Sequence, residues 1–334
     1  MDDEELWLRN RASSLLGQLE SDGALHIRGF ELPTSKAGHR RLVGALGLRP
    51  CADPLTSIGV RALLSADDDV YEAVNAPALA STFIGLHNDA TFALTAPYAA
   101  FACFRPADRG GEFLVADGRE VLRALEGDHL DALHARNVRI RVARVDLSAP
   151  LALAPEPLRA PLRAAVAAVV GAVLAAFVPL GLELHWSDDD ALQICERPKP
   201  PVVRHPRTAE PTFFSSLHSQ SAALQRRRAG TDAFGGVAAT DAFFGDGEAL
   251  DAGLLDAVEA AVGRLAVEVA MERGDVVLLD TYQCLHGRAT FEGDREHGVI
   301  WATDDEYSPS GVSGAGGDAG GLAALVNRFA VKGG

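Results

Sequence analysis

Residues 274–288 read Gly-Asp-Val-Val-Leu-Leu-Asp-Thr-Tyr-Gln-Cys-Leu-His-Gly-Arg. Val276–Asp280 is a short, nearly continuous apolar run opened by the turn Arg273-Gly274-Asp275, and Val267–Met271 lies on the other side of that turn. Short apolar runs bounded by turn residues predict buried strands rather than helices. Outward from this stretch the pattern repeats. His297–Ala302 predicts a further strand, as do Phe83–Leu86 and Ala99–Phe104, which are punctuated by Pro97, Pro106 and Gly110-Gly111. Val138–Val145 alternates apolar and basic residues, the period of a half-buried strand. Helical spacing marks residues 4–20, a short segment around Arg119–Leu125, a middle stretch from about Pro155 to Phe177, and residues 250–264. The order is helix, many strands, helices, then strands. It predicts an α+β or barrel-like fold with helices packed outside a β-rich core, not a doubly wound sheet.

The chain has 334 residues with a formal charge of −15, 48% hydrophobic and 23% charged, enough to bury one large core or two modest ones. A surplus of 46 acidic over 31 basic residues argues against nucleic acid and against anionic membranes, since both need a basic face. The four cysteines, Cys51, Cys103, Cys195 and Cys284, form no CxxC pair, and the acidic Met1–Glu5 start lacks a secretion signal. The expectation is a cytoplasmic protein. Ala164–Leu182 is 19 residues without a charge, but it is Ala-rich and contains Gly171 and Pro179, so it predicts a buried core helix instead of a membrane span. No GxGxxG or P-loop stands at a strand-to-helix junction, which leaves nucleotide binding unsupported.

Three residues carry candidate chemistry: His87 and Asp89 in His87-Asn88-Asp89, and His286 far downstream. Positions i and i+2 of a strand point to one side, so an imidazole and a carboxylate can converge, with His286 reaching them from a neighbouring strand. Two imidazoles and a carboxylate on one face of an octahedral ion leave the opposite face open, as in non-haem iron oxygenases. Such a site also needs a cation for the far carboxylate of a 2-oxo acid. Arg295, nine residues after His286, is the candidate, because a guanidinium matches a carboxylate bidentately. Taken alone, HxD is a short motif. His87 reads equally as a core or surface histidine, His286 as a turn histidine and Arg295 as a solvated arginine.

The wider sequence resembles a family. Gly85-Leu86-His87-Asn88-Asp89, Pro97-Tyr98, Gly110-Gly111-Glu112 and Ala116-Asp117-Gly118-Arg119 come first. His205-Pro206-Arg207-Thr208, Phe213-Phe214, Phe244–Gly247, Gly274–Asp280, His286-Gly287-Arg288 and Phe291–Arg295 follow. They stand in the order and approximate spacing of the TauD/TfdA group, the taurine-dioxygenase-like and clavaminate-synthase-like Fe(II)/2-oxoglutarate oxygenases. The matches span roughly residues 80–302. The resemblance implies a double-stranded β-helix (jelly-roll) core with flanking helices and a helical insertion at about 150–185. It implies one domain over 1–307, with 308–334 a Gly-rich tail. It further implies Fe(II) held by His87, Asp89 and His286, 2-oxoglutarate as co-substrate with its C5 carboxylate on Arg295, Arg288 near it, and dioxygen as oxidant.

The departures are specific. Phe113 stands where many relatives carry a threonine whose hydroxyl holds 2-oxoglutarate, and Thr281 and Ser215 stand at frequent asparagine positions. Retention of Asp89 argues against halogenation. Asn88, Phe214, Ser215 and His218 are candidate substrate contacts, and Phe213–Gln220 reads equally as a packed strand with a polar exit. His185-Trp186 with Asp188–Asp190 suggests either a second metal site or a solvated turn. Cys284 is an oxidation hazard beside the iron or a buried small hydrophobe. Gln225–Phe244 is a lid or a simple connection.

The expected reaction is oxidation of an unactivated C–H bond, by hydroxylation, desaturation or ring closure. The implied substrate is an amino acid or amino-acid-derived metabolite in specialised metabolism. A carrier-tethered substrate and a non-catalytic jelly-roll binding module are the alternatives, and a homo-oligomer stays open.

Overall fold

The computed structural model describes residues 3–51, 63–88, 95–125, 127–177, 182–229 and 240–305. Its strands in chain order are β1 (Ala24–Ile27), β2 (Arg49–Pro50), β3 (Leu63–Ser65), β4 (Val70–Glu72), β5 (Ile84–His87), β6 (Tyr98–Arg105), β7 (Arg109–Gly110), β8 (Phe113–Asp117) and β9 (Val138–Asp146). They continue as β10 (Glu183–Trp186), β11 (Ala191–Cys195), β12 (Val202–Arg204), β13 (Pro211–Phe213), β14 (Asp241–Phe244), β15 (Val267–Val269), β16 (Val276–Asp280), β17 (Cys284–Arg288), β18 (Phe291–Glu292) and β19 (Glu296–Thr303). The helices are α1 (Asp3–Asp22), α2 (Lys36–Ala45), α3 (Gly118–Ala124), α4 (Gly127–Arg136), α5 (Ser148–Ala152), α6 (Glu156–Phe177), α7 (Leu217–Gln220), α8 (Ala222–Ala229) and α9 (Ala252–Leu265).

The chain gathers into two compact units, one of 1–124, 202–214 and 260–334, the other of 125–201 and 215–259. In the first unit a seven-stranded sheet runs β1-β16-β6-β19-β4-β3, with β2 added beside β19. A second sheet of four strands runs β15-β8-β17-β5. The pairings within both are antiparallel.

The two-residue period of a strand explains the apolar runs. Ala100, Ala102, Val276, Leu278, Ile300 and Ala302 bury their side chains with α1 and α2, which contribute Leu8, Leu19, Leu42 and Val43. Their neighbours Ala99, Phe101, Cys103, Val277, Leu279, Val299 and Trp301 turn the other way and pack with Phe113, Val115 and Cys284 of the second sheet. A strand covered on both faces has no polar positions to alternate with, which is why Val276–Leu279 is unbroken. The helical layer is held locally. Ser35 Oγ accepts from Gly38 N (3.1 Å) at the start of α2, and the Glu4 carboxylate accepts from Glu31 N and Leu32 N (2.9 and 2.7 Å).

The second unit contains a four-stranded sheet, β10-β11-β9-β14, together with α6. It is longer than the insertion expected at about 150–185, because β9, β11 and β14 belong to it. The expectation that the uncharged run forms a buried core helix is corrected. α6 forms where expected, but none of the side chains from Glu156 to Ala175 is buried. Leu158, Leu162 and Val169 remain 56%, 39% and 64% exposed. The reason is geometric. One face of α6 meets the sheet, where the Arg163 guanidinium lies 5.6 Å from the Trp186 ring, and the opposite stripe meets no described residue that covers it. Among the described residues it is the one helix long and apolar enough to cross a membrane.

Two smaller expectations also change. The stretch Gln225–Phe244 is not all connection, since α8 runs to Ala229 and β14 begins at Asp241, with 230–239 outside the described residues. The acidic turn after His185 is tied to arginines, Asp189 to Arg144 and Asp190 to Arg163. The tail expected from 308 also lies outside the described residues.

Candidate active site

The site sits on the four-stranded sheet of the first unit. β16 ends at Asp280, whose Oδ1 accepts from Tyr282 N and Gln283 N (3.0 and 3.2 Å), while Oδ2 lies 2.9 Å from His205 Nε2. His205 Nδ1 accepts from Arg207 N and Thr208 N, so the proton rests on Nε2 and faces the carboxylate. That tight turn carries the chain from one sheet to the other and sets down β17 with His286 in its middle.

His286 lies directly opposite His87 of β5 in the register, and the two rings stand 4.6 Å apart between centroids. The strands can approach this closely because residue 287 is glycine: a Cβ there would sit 2.5 Å from Ile84 O. His87 Nδ1 is 2.9 Å from Gly85 O. With the proton on Nδ1 donated to that carbonyl, Nε2 presents its lone pair, the arrangement a metal-binding imidazole requires. The His286 ring is walled by Phe113, stacked parallel at 5.9 Å and 3°, and by Phe101 of the facing sheet at 4.9 Å. Asp89 lies outside the described residues. Among the described residues, no group of three His, Cys, Asp or Glu side chains could hold a metal. Among the described residues, then, two imidazoles stand side by side.

Further along the chain stand two buried guanidiniums. Arg295 donates from Nη1 to Ala73 O (2.8 Å), Val74 O (3.4 Å) and Asn75 Oδ1 (2.9 Å). Arg288 donates to Ala289 O and Leu79 O (2.7 Å each) and to Thr82 O (3.2 Å). Both lie near the Phe291 ring, at 4.7 Å for Arg288 and 5.7 Å for Arg295. No described carboxylate forms an ion pair with either, and both Nε atoms are buried without a partner. Burial pushes Arg288 down to about 10, and burial with repulsion from Arg288 pushes Arg295 down to about 9. Both remain charged at neutral pH. Two like charges in a low-dielectric wall, with no ion pair to a described carboxylate and only the Glu72 charge acting on Arg295 from a distance, are chemically suited to an anion.

The remaining candidates are placed as follows. Asn88 is buried, its amide donating to Thr281 O (3.0 Å) and Cys284 O (3.1 Å). Phe214 stacks on Tyr282 at 5.6 Å. In the second unit, Ser215 Oγ accepts from Leu217 N, and His218 Nε2 lies 3.1 Å from Glu259. Cys284 is deeply buried and its thiol is pushed well above its ordinary value by burial, so it stays protonated. Two residues escaped the sequence reading. Asn75 grips both Arg295 and the His297 backbone, and nothing local in the sequence marks it. His297 lies two residues beyond Arg295, at the start of β19, and that closeness in sequence was the one signal for it.

The chain matches the profile of the taurine catabolism dioxygenase TauD, TfdA family over residues 3–301. It belongs to that family. Membership carries the reaction class: this is a dioxygenase. Among solved structures, an asparagine oxygenase in complex with Fe(II), 2S,3S-3-hydroxyasparagine and succinate is similar. Its TM-score is 0.52 at 17% identity, covering 90% of this chain and 80% of that one. PvcB from Pseudomonas aeruginosa matches with a TM-score of 0.51 at 15% identity, over 88% and 80% of the two chains. These likenesses are of fold. No curated protein sequence matches the TauD/TfdA chain described here.

Proposed function

We propose that this TauD/TfdA dioxygenase oxidises an unactivated C–H bond of a small amino acid or amino-acid-derived metabolite. In this reading His87, Asp89 and His286 hold Fe(II) on a double-stranded β-helix core, and Arg295, with Arg288 beside it, takes the far carboxylate of 2-oxoglutarate. The observation that carries it is the presence of two adjacent imidazoles and of two buried guanidiniums that form no ion pair with a described carboxylate. The donor set fits the cofactors: neutral imidazoles suit iron, and a guanidinium cradle suits a dicarboxylate. The amino-acid class is supported by the hydroxyasparagine bound in the similar oxygenase.

When bound, the iron with 2-oxoglutarate and dioxygen supplies the oxidant for the C–H bond. The protein's own part is positional. Gly85 O fixes the tautomer of His87, while Phe101 and Phe113 hold the His286 ring and keep water from its faces. Asn75 and the Ala73 carbonyl hold Arg295 from one side, leaving its Nη2 without a hydrogen bond to any described residue.

The test is anaerobic titration of the protein with Fe(II) and 2-oxoglutarate, followed by the weak visible charge-transfer band of the chelate. The band should form and should vanish in His87→Ala, Asp89→Ala and His286→Ala. Folded protein that gives no band overturns the assignment of the iron ligands. Succinate release against a panel of free amino acids and their derivatives then tests the substrate class; turnover only on carrier-tethered substrates would refute the free small molecule.

A further inference from the structure

The His297 side chain has no role in the reading above, yet it lies at the guanidinium cradle. It sits on β19 two residues beyond Arg295, and its backbone is locked to the same asparagine. Asn75 Oδ1 accepts from both Arg295 Nη1 and His297 N (2.9 Å each), and Asn75 Nδ2 donates to His297 O (2.7 Å). His297 is 2% exposed, with Cys103 opposite it in the register. Neither ring nitrogen has a hydrogen-bond partner among the described residues, and Nδ1 is wholly buried. Burial, then Arg295 and Arg288, holds the imidazole well below its ordinary value, so it is neutral and carries one N–H.

Among the described residues, the groups around it offer that N–H no acceptor. Arg295 and Arg288 are donors only. The Cys103 thiol is directed to Met271 O (3.7 Å), and Asn75 Oδ1 is already taken twice. Glu72 pairs with Gly298, on the opposite face of the strand from His297, and its Oε1 accepts from Asn75 N (2.7 Å). A buried imidazole beside two cations, with no acceptor among the described residues, is well matched to an acceptor-rich anion.

We propose that His297 is a further binding residue for the far carboxylate of the 2-oxo-acid co-substrate, donating a hydrogen bond to an oxygen that Arg295 does not fully satisfy. This rests on the reading of Arg295 as that carboxylate's partner. It also supplies from β19 the neutral donor that Phe113 cannot offer where relatives carry a threonine hydroxyl. The site thereby selects a dicarboxylic 2-oxo acid over a monocarboxylic one.

The experiment is anaerobic calorimetric titration of the Fe(II)-loaded protein with 2-oxoglutarate and with pyruvate, a 2-oxo acid without a distal carboxylate. His297→Leu, His297→Gln and Arg295→Leu are compared with the unaltered chain, each checked for folding by its melting curve. In His297→Leu, 2-oxoglutarate should bind about tenfold more weakly, the size of one hydrogen bond to a charged group, while pyruvate affinity is unchanged. His297→Gln, which keeps an N–H donor, should recover most of the loss. The proposal is overturned if His297→Leu binds 2-oxoglutarate as tightly as the unaltered chain, or loses pyruvate in the same proportion, while Arg295→Leu still loses 2-oxoglutarate. If Arg295→Leu also leaves 2-oxoglutarate binding intact, the cradle assignment itself fails. That outcome is distinct from failure of His297 alone.

Discussion

Phe113 and Asn88 show how single side chains support the strands that carry the histidine pair. The Phe113 ring is buried, stacked on His286 and 4.8 Å from Phe101. Truncation to alanine would open a cavity between the two sheets, and Phe113→Ala is expected to lose about 3–5 kcal/mol of unfolding free energy in urea. Asn88 makes a different kind of contribution. Its two bonds reach carbonyls on either side of the turn that joins β16 to β17. Asn88→Leu leaves both carbonyls without that donor and should lower stability by about 1–3 kcal/mol. A residue serving only the substrate would instead raise KM with an unchanged denaturation midpoint, so the two roles separate in one pair of measurements. The HxD triplet was visible from its spacing. The backbone work of its middle residue was not, because Thr281 and Cys284 are nearly two hundred positions away.

At the scale of elements, α2 presses a histidine onto β6. His39 is buried, its Nε2 lies 3.1 Å from Ala100 O, and burial pushes it down to about 4. In the unfolded chain a histidine takes up its proton near pH 6.5, whereas here it stays neutral until about pH 4. The unfolded state therefore binds more protons between those values, and stability falls as pH falls through that window, by up to about 3 kcal/mol. His39→Gln should give a flatter curve of melting temperature between pH 7 and 4; parallel curves would refute the assignment. The strands themselves were readable, since Val276–Asp280 and the run at 99–104 carry the mark of burial on both faces. The neighbourhood of β17 and β5 was readable from His286 and His87, but the other pairings were not. β16 joins β6 and β1, while β17, only four residues later, joins β8 and β5. The switch lies in the hydrogen bonds of Asp280, and no periodicity records it. α6 failed for another reason: alanine is equally at home in a core or in water, so an Ala-rich run says helix without saying where.

For the whole molecule, charge and exposed apolar surface pull in opposite directions. Leu162→Glu on the outer stripe of α6 should change the unfolding free energy by no more than about 0.5 kcal/mol, as for an open surface position. A loss of several kcal/mol in urea would mean that the stripe is covered. The chain's charge of −15 opposes association of copies in dilute buffer through mutual repulsion. Salt shortens the reach of that repulsion to a few ångströms while sharpening the aversion of water to Leu158, Leu162 and Val169. On a phenyl chromatography resin loaded in ammonium sulfate, this acidic protein should be retained late. The same Leu162→Glu exchange should bring it off the column early.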